Sequence, residues 1–173
     1  VIAKYAPVAV SGFLLEKEIQ YLGNAVEKPV RPFVAILGGA KVSDKLAVVK
    51  NLLSKVDTLI IGGGMAYTFK KAEGMKIGNS LCEDDQLGYA AEMLKLAAEK
   101  GVKFLLPSDN VIADKFDPEA NTQIIHGDIP DGWMGLDVGP DSVKEFSAAL
   151  EGAKTVVWNG PMGCFEMPAF SKG

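Results

Sequence analysis

Two lysines lie close to a pair of glycines in the segment Gly-Gly-Ala-Lys-Val-Ser-Asp-Lys, residues 38–45. The segment follows the apolar run Phe33 to Leu37, and the pattern predicts a strand, a glycine turn and the start of a helix. Free backbone N–H groups at a helix start attract anions, so lysines there are best explained by a negatively charged ligand. Lys41 and Lys45 are therefore predicted to bind an anion, with phosphate as the natural candidate. The local pattern is equally compatible with an ordinary turn whose lysines are solvated.

The common phosphate-binding motifs do not account for this segment. Its spacing differs from the Walker A pattern Gly-x4-Gly-Lys-Ser/Thr, which occurs nowhere in the chain. The first predicted strand is not followed by Gly-x-Gly-x-x-Gly, and the second does not end in an acidic residue. A dinucleotide-dependent oxidoreductase domain is therefore disfavoured as an alternative.

Three other segments could complete a ligand site. The glycine run Gly62 to Gly64 carries a backbone entropy cost. Either a flat ligand lying against bare backbone or tight packing of a helix start would explain it. Glu166 follows a Gly-Pro turn and could accept hydrogen bonds from a ribose, or be an exposed glutamate. Residues 132–137 are predicted to form a loop, in which Leu136 either supports an adenine or helps to seal the core.

Composition narrows the class of protein. The 173 residues are 48% hydrophobic and 23% charged, which is typical of a globular domain. A net charge of −4 without a basic cluster argues against a nucleic acid partner. Cys82, Cys164 and the single histidine, His126, are too dispersed for a zinc site or a disulfide framework. With no apolar run of about 20 residues, a membrane partner is not expected and a cytoplasmic location is predicted.

The order of the predicted elements indicates an α/β fold. Apolar strands alternate with helical patterns, which predicts a three-layer αβα arrangement around a mostly parallel, Rossmann-like sheet. Turns rich in glycine or proline follow the strands and are predicted at the carboxyl edge of the sheet, where ligands bind in such folds. Strands are predicted at 33–37, 58–61, 103–106 and 155–158, with a weaker signal at 123–125. Helices are predicted from the glycine turn to about residue 54 and at 65–72, 85–100 and 141–150.

A helix is also predicted ahead of the first strand. Gly12 precedes an amphipathic pattern that ends before Pro29 and Pro32. Residues 1–31 are therefore predicted to form a lead segment, and residues 32–173 a nucleotide-binding α/β domain. Because the chain begins at Val1 and stops soon after a glycine-proline turn, it is expected to be an excerpt from a longer protein.

Five motifs, taken in order, resemble the phosphoglycerate kinase family. They are Gly-Gly-Ala-Lys-Val-Ser-Asp-Lys at 38–45, Ile-Ile-Gly-Gly-Gly-Met-Ala-Tyr-Thr-Phe at 60–69, Ala-Asp-Lys-Phe at 113–116, Gly-Trp-Met-Gly-Leu-Asp at 132–137 and Trp-Asn-Gly-Pro-Met-Gly-Cys-Phe-Glu at 158–166. The resemblance implies reversible phosphoryl transfer between 1,3-bisphosphoglycerate and ADP, giving 3-phosphoglycerate and ATP, in glycolysis. It further implies that this chain is most of the family's nucleotide-binding domain, preceded by its interdomain helix and lacking the C-terminal end of the sheet.

The resemblance also assigns roles to residues. It implies that Lys41 contacts the phosphoryl group in transfer and that Lys45 contacts the nucleotide phosphates. The family's adenine nucleotide site corresponds here to Gly39, Ala40, Lys45, Gly63, Gly64, Leu81, Gly135, Leu136, Asn159, Pro161 and Glu166. Phosphoglycerate would bind an N-terminal domain that this chain lacks, and the aspartate linked to Mg2+ is expected beyond Gly173. The chain alone is therefore expected to be inactive, which leaves a non-catalytic adenine-nucleotide-binding module as an alternative function.

Overall fold

The computed structural model describes residue 5 and residues 10–173, and within them two sheets organise the fold. The strands are β1 Phe33–Leu37, β2 Thr58–Ile61, β3 Lys103–Leu105, β4 Asp109–Ala113, β5 Thr122–His126, β6 Met134–Val138 and β7 Thr155–Asn159. The first sheet is parallel, with the strand order β3-β2-β1-β7. The second is antiparallel, with the order β5-β4-β6. The helices are α1 Phe13–Glu27, α2 Leu46–Leu52, α3 Met65–Ala72, α4 Leu87–Lys100 and α5 Pro140–Leu150.

Helices cover both faces of the parallel sheet. Successive side chains of a strand point to opposite faces, so Phe33 and Ala35 pack into a core with α2, α3 and α4. Val34 and Ile36 pack on the other face with residues of α5, including Phe146. Because every residue of β1 is buried, the strand reads as a continuous apolar run rather than an alternating one. The predicted α/β fold with helices on both sides of a parallel sheet is confirmed.

The antiparallel sheet corrects the sequence prediction. Residues 132–137 are predicted as a loop, yet Met134–Val138 is a strand. The turn predicted after the strand at 103–106 also leads directly into β4 at Asp109. Glycine, aspartate and asparagine are depleted in strands, and tertiary contacts override that preference here. The weaker signal at 123–125 is confirmed as strand β5, although β5 pairs with β4 outside the parallel sheet.

The helix after the first strand begins later than predicted. A short 3-10 turn, Ser43–Lys45, separates the glycine turn from α2, which begins at Leu46. Gly39 has a φ of +114°, a conformation that glycine adopts without the strain a side chain would impose. Lys41 consequently lies in the loop, and only Lys45 lies at the helix start.

The lead segment contains the predicted helix. Helix α1 begins directly after Gly12, as expected, whereas residues 1–4 and 6–9 lie outside the described residues. The boundary between residues 31 and 32 stays a prediction. None of the helices described combines the length and apolar character that crossing a membrane requires.

Candidate functional site

Three loops meet at the carboxyl edge of the parallel sheet. In the strand register Leu37 lies beside both Ile61 and Asn159, so the loops after β1, β2 and β7 start next to one another. Main-chain hydrogen bonds then join the loops: the Gly39 N–H donates to Pro161 O at 2.9 Å, and the Gly63 N–H donates to Met162 O at 3.0 Å. The loops therefore form one continuous surface made largely of backbone.

Glycine is required where these loops touch. A Cβ at Gly38 would collide with Pro161 O, and Gly63 combines a φ of +66° with a Cβ position 2.6 Å from Gly39 N. A Cβ at Gly62 would collide with the side chain of Met162. Packing between loops thus explains the first two glycines of the 62–64 run. Gly64 borders the cleft described next.

A cleft of about 500 Å³ opens between these loops and the antiparallel sheet. It brings together most of the positions that the sequence pointed to, although they are far apart along the chain. The lining residues among them are Gly39, Ala40, Gly63, Gly64, Leu81, Gly135, Leu136, Pro161 and Glu166. The structure also adds lining residues that the sequence analysis missed: Tyr67, Asn79, Phe116, Met134, Gly163, Cys164 and Phe165.

The lining suits a flat ligand with one polar edge. Most of it is glycine backbone and apolar side chain, and Glu166 is its one carboxylate among the described residues. Phe116 and Phe165 border the cleft although 64% and 59% of their surface is exposed. Exposed aromatic rings beside an apolar cleft can stack on a planar ring. Phe116 lies in the Ala-Asp-Lys-Phe motif at 113–116, one of the five motifs that carry the family resemblance.

Lys45 and Asn159 lie beside this cleft rather than in its lining. The Lys45 ammonium donates to the side-chain oxygen of Asn159, and a Cβ at Gly160 would lie 3.2 Å from Lys45 Nζ. The ammonium is therefore held against the loop after β7, close to where Pro161 borders the cleft. A phosphate chain leaving the cleft would meet this charge.

Lys41 has a different environment. Its side chain is exposed and follows Ala40, which lines the cleft. Glu83 lies nearby and accepts hydrogen bonds from Ser43 N at 3.0 Å and Ser43 Oγ at 2.6 Å. Although burial alone would raise it, the pKa of Glu83 is lowered by these hydrogen bonds and by the charge of Lys41. Lys41 therefore has an anionic neighbour with which a phosphoryl group would compete.

Two ionisable groups lie at or behind the cleft lining: Cys164 lines it, and Asp137 lies behind Gly163, whose Cβ position is 2.1 Å from Asp137 Oδ1. Asp137 is 1% exposed and accepts hydrogen bonds from the backbone N–H groups of Val138, Lys172 and Gly173. Burial outweighs these donors and raises the pKa of Asp137. Burial also raises the pKa of Cys164, and the charges of Glu166 and Asp137 add to that effect. The thiol is therefore kept protonated at neutral pH and is a poor nucleophile.

Among the described residues, the cleft lining holds one carboxylate, Glu166, and no set of metal ligands. One cluster of the described residues, Asp109, His126 and Asp141, could bring three ligand atoms within 4.8 Å of one another, but it lies at the start of α5. There Asp109 accepts from Ser142 N at 2.7 Å and Asp141 N at 3.1 Å, and Lys144 pairs with Asp141 at 2.9 Å. These carboxylates already have partners, and Glu166 alone does not make a Mg2+ site.

Together the fold and the cleft define a class: an α/β domain with a candidate ligand cleft at the carboxyl edge of its parallel sheet, lined by glycine backbone and apolar side chains, with a lysine beside it. Comparison with known proteins then identifies the family. A family model described as phosphoglycerate kinase matches residues 1–173, and the chain belongs to the phosphoglycerate kinase family. This membership leaves the oxidoreductase alternative without support.

Individual relatives agree with the family model. The chain is 62% identical to phosphoglycerate kinase from Limosilactobacillus fermentum over 95% of its length, and 60% identical to the one from Clostridium botulinum over 99%. It superposes on the structure of phosphoglycerate kinase from Coxiella burnetii with a TM-score of 0.91 at 44% identity, over 99% of this chain and 44% of that one. The enzyme from Pyrococcus horikoshii gives a TM-score of 0.79 at 29% identity, over 94% and 42% of the two chains. The chain spans 40% and 44% of the first two relatives, less than half of each.

Proposed function

We propose that this chain is the nucleotide-binding part of a phosphoglycerate kinase, which transfers a phosphoryl group between 1,3-bisphosphoglycerate and ADP. The observation that carries the proposal is the convergence of Gly39, Gly64, Leu136 and Glu166 on one cleft, with Lys45 held beside it. An adenine fits the flat apolar recess, and Glu166 is the carboxylate available to ribose hydroxyls. The products of the transfer are 3-phosphoglycerate and ATP.

The proposed roles follow from charge and position. Phosphoryl transfer depends on alignment and charge neutralisation more than on covalent chemistry, so fixed cations and backbone N–H groups do most of the work. Lys45 is assigned to the nucleotide phosphates and Lys41 to the phosphoryl group in transfer. Asn159 holds the Lys45 ammonium in place. Mg2+, a phosphoglycerate site in a further part of the protein, and a location in the cytoplasm also belong to this proposal.

Calorimetric titration with Mg-ADP tests the proposal on this chain. The unaltered chain is expected to bind, and Lys45→Met should weaken binding roughly 10- to 100-fold, since a charge-assisted hydrogen bond contributes about 1.5–3 kcal/mol. Lys50→Met is the matched control: Lys50 is an exposed lysine of α2, 3.7 Å from Glu92, and does not border the cleft. No heat with the unaltered chain would refute nucleotide binding. Equal losses in the two variants would refute the role of Lys45.

A further inference from the structure

The hydroxyl of Tyr67 has no partner in the cleft wall. Tyr67 lines the cleft and is only 4% exposed, and its ring packs against Ile112 and Ile129. Among the described residues the one tyrosine hydroxyl that donates a hydrogen bond is that of Tyr89, to Leu46 O. Tyr67 Oη does not belong to the fully buried polar atoms that lack a partner in the described residues, so it reaches the cleft surface, where water or a ligand can bond to it.

The position of this hydroxyl is tightly defined. It lies over the backbone of Gly135, where a Cβ would collide with it, and Gly135 itself borders the cleft. The Gly135 N–H is already bonded to Ser80 Oγ at 2.9 Å, which fixes this part of β6. The hydroxyl is therefore held at the cleft surface before any ligand arrives, so binding would cost little side-chain entropy.

The chemistry of the cleft limits what this group can bind. Burial raises the pKa of Tyr67, and the charges of Asp137 and Cys164 raise it further, so the phenol keeps its proton and can donate. Asn79 lies at the exposed part of the lining, and Glu166 is assigned to the ribose. A purine presents ring nitrogens N1, N3 and N7 as acceptors, and a protonated phenol is a donor suited to one of them.

We propose that Tyr67 Oη donates a hydrogen bond to a ring nitrogen of the bound purine. The hydroxyl thereby helps to orient the base and to select bases that present an acceptor at that point. This inference rests on the proposed nucleotide-binding function.

The test compares the unaltered chain with Tyr67→Phe by calorimetry, using ADP and its 1-deaza, 3-deaza and 7-deaza analogues. Tyr67→Phe is expected to weaken ADP binding roughly 3- to 10-fold, the range of a single net hydrogen bond. One of the three analogues lacks the ring nitrogen that accepts from Tyr67 Oη. The unaltered chain and Tyr67→Phe should bind that analogue with equal affinity. Tyr89→Phe is the matched control and should leave ADP affinity unchanged, because its hydroxyl bonds to Leu46 O outside the cleft.

Each other outcome is informative. Equal ADP affinity of the unaltered chain and Tyr67→Phe overturns the inference. It is also overturned if Tyr67→Phe binds all three analogues more weakly than the unaltered chain does, by the same factor, because the hydroxyl would then shape the wall instead of bonding to one ring nitrogen. If the variant does not fold, binding of the analogues to the unaltered chain decides the matter. One analogue must then bind roughly 3- to 10-fold more weakly than ADP, and the inference is overturned if all three bind as tightly as ADP. An unaltered chain that does not bind ADP refutes the proposed function itself.

Discussion

The two walls of the cleft are built in different ways. The parallel sheet contributes loops in which main chains touch, as where the Gly39 N–H donates to Pro161 O. The antiparallel sheet contributes strand β6, where Met134 and Leu136 present side chains to the cleft and Gly135 makes room for Tyr67. The first wall therefore depends on the absence of side chains, and the second depends on their identity. Substitutions should consequently affect folding at the first wall and ligand binding at the second.

The largest expected effect is on the first wall. Gly38→Ala should lower the free energy of unfolding by about 3 kcal/mol or more, because the added Cβ collides with the backbone of Pro161, which cannot move without breaking the loop contacts. Urea denaturation measures the change. Gly88→Ala is the control: it lies in α4 with nothing within 4 Å of its Cβ position, and should stabilise by about 0.5–1 kcal/mol. A loss below about 1 kcal/mol for Gly38→Ala would show that the first wall tolerates side chains.

The second wall should respond in ligand binding as well as in stability. Gly135→Ala places a methyl group against the Tyr67 ring and hydroxyl, which must shift into the cleft or out of it. We expect a stability loss of about 1–3 kcal/mol, typical of overpacking. ADP affinity should fall more than about tenfold, equivalent to about 1.4 kcal/mol. If stability falls as far as in Gly38→Ala while ADP affinity is kept, the proposed difference between the walls is wrong.

A smaller effect is expected from Lys70, on the helix between the two sheets. Its side chain is 2% exposed, and its ammonium has no hydrogen-bond partner among the described residues. Burial lowers the pKa of Lys70 to about 8, although the negative charges of Asp109 and Glu73 act to raise it. Above pH 8 the unfolded chain, with a usual lysine pKa near 10.5, holds the proton more strongly than the folded one. The free energy of unfolding should therefore rise by about 1 kcal/mol between pH 7.5 and 9.

Urea denaturation across that pH range, with Lys70→Met alongside, isolates this contribution. The difference between the two proteins should change with pH, because the methionine variant has lost the titrating amine. Groups such as Cys82 and Cys164 titrate in both proteins and cancel in the difference. A difference that stays constant with pH would show that Lys70 does not titrate in this range.

The sequence predicted the two walls unequally. Strands β1 and β2 are buried along their whole length, so their apolar runs stand out and the glycine turns after them mark the sheet edge. Strands β4 and β6 contain Asp109 and Asp137, buried polar residues whose partners come from distant parts of the chain. Asp109, for example, accepts from Ser142 Oγ at 2.6 Å. The local sequence does not indicate such a distant partner. A strand that contains a buried aspartate is therefore predicted as a turn or a loop.

The site was predictable where residue types alone signal a ligand, and not where tertiary placement decides. Lysines beside glycines indicated an anion site, and the family resemblance supplied positions such as Gly135 and Leu136. Tyr67 was missed because an aromatic residue on a helix normally indicates core packing. The contact of Lys45 with Asn159 joins residues 114 positions apart and required the fold.

The main-chain bracing of the three loops also has a consequence for protein engineering. Those hydrogen bonds use N–H and carbonyl groups that every non-proline residue carries. They therefore hold the loops in fixed positions on one side of the cleft. For the proposed nucleotide site, attempts to change base preference should therefore randomise the strand and helix positions Tyr67, Met134 and Leu136, which line the cleft, and leave the loops untouched. A library built in this way would explore selectivity while keeping the scaffold intact.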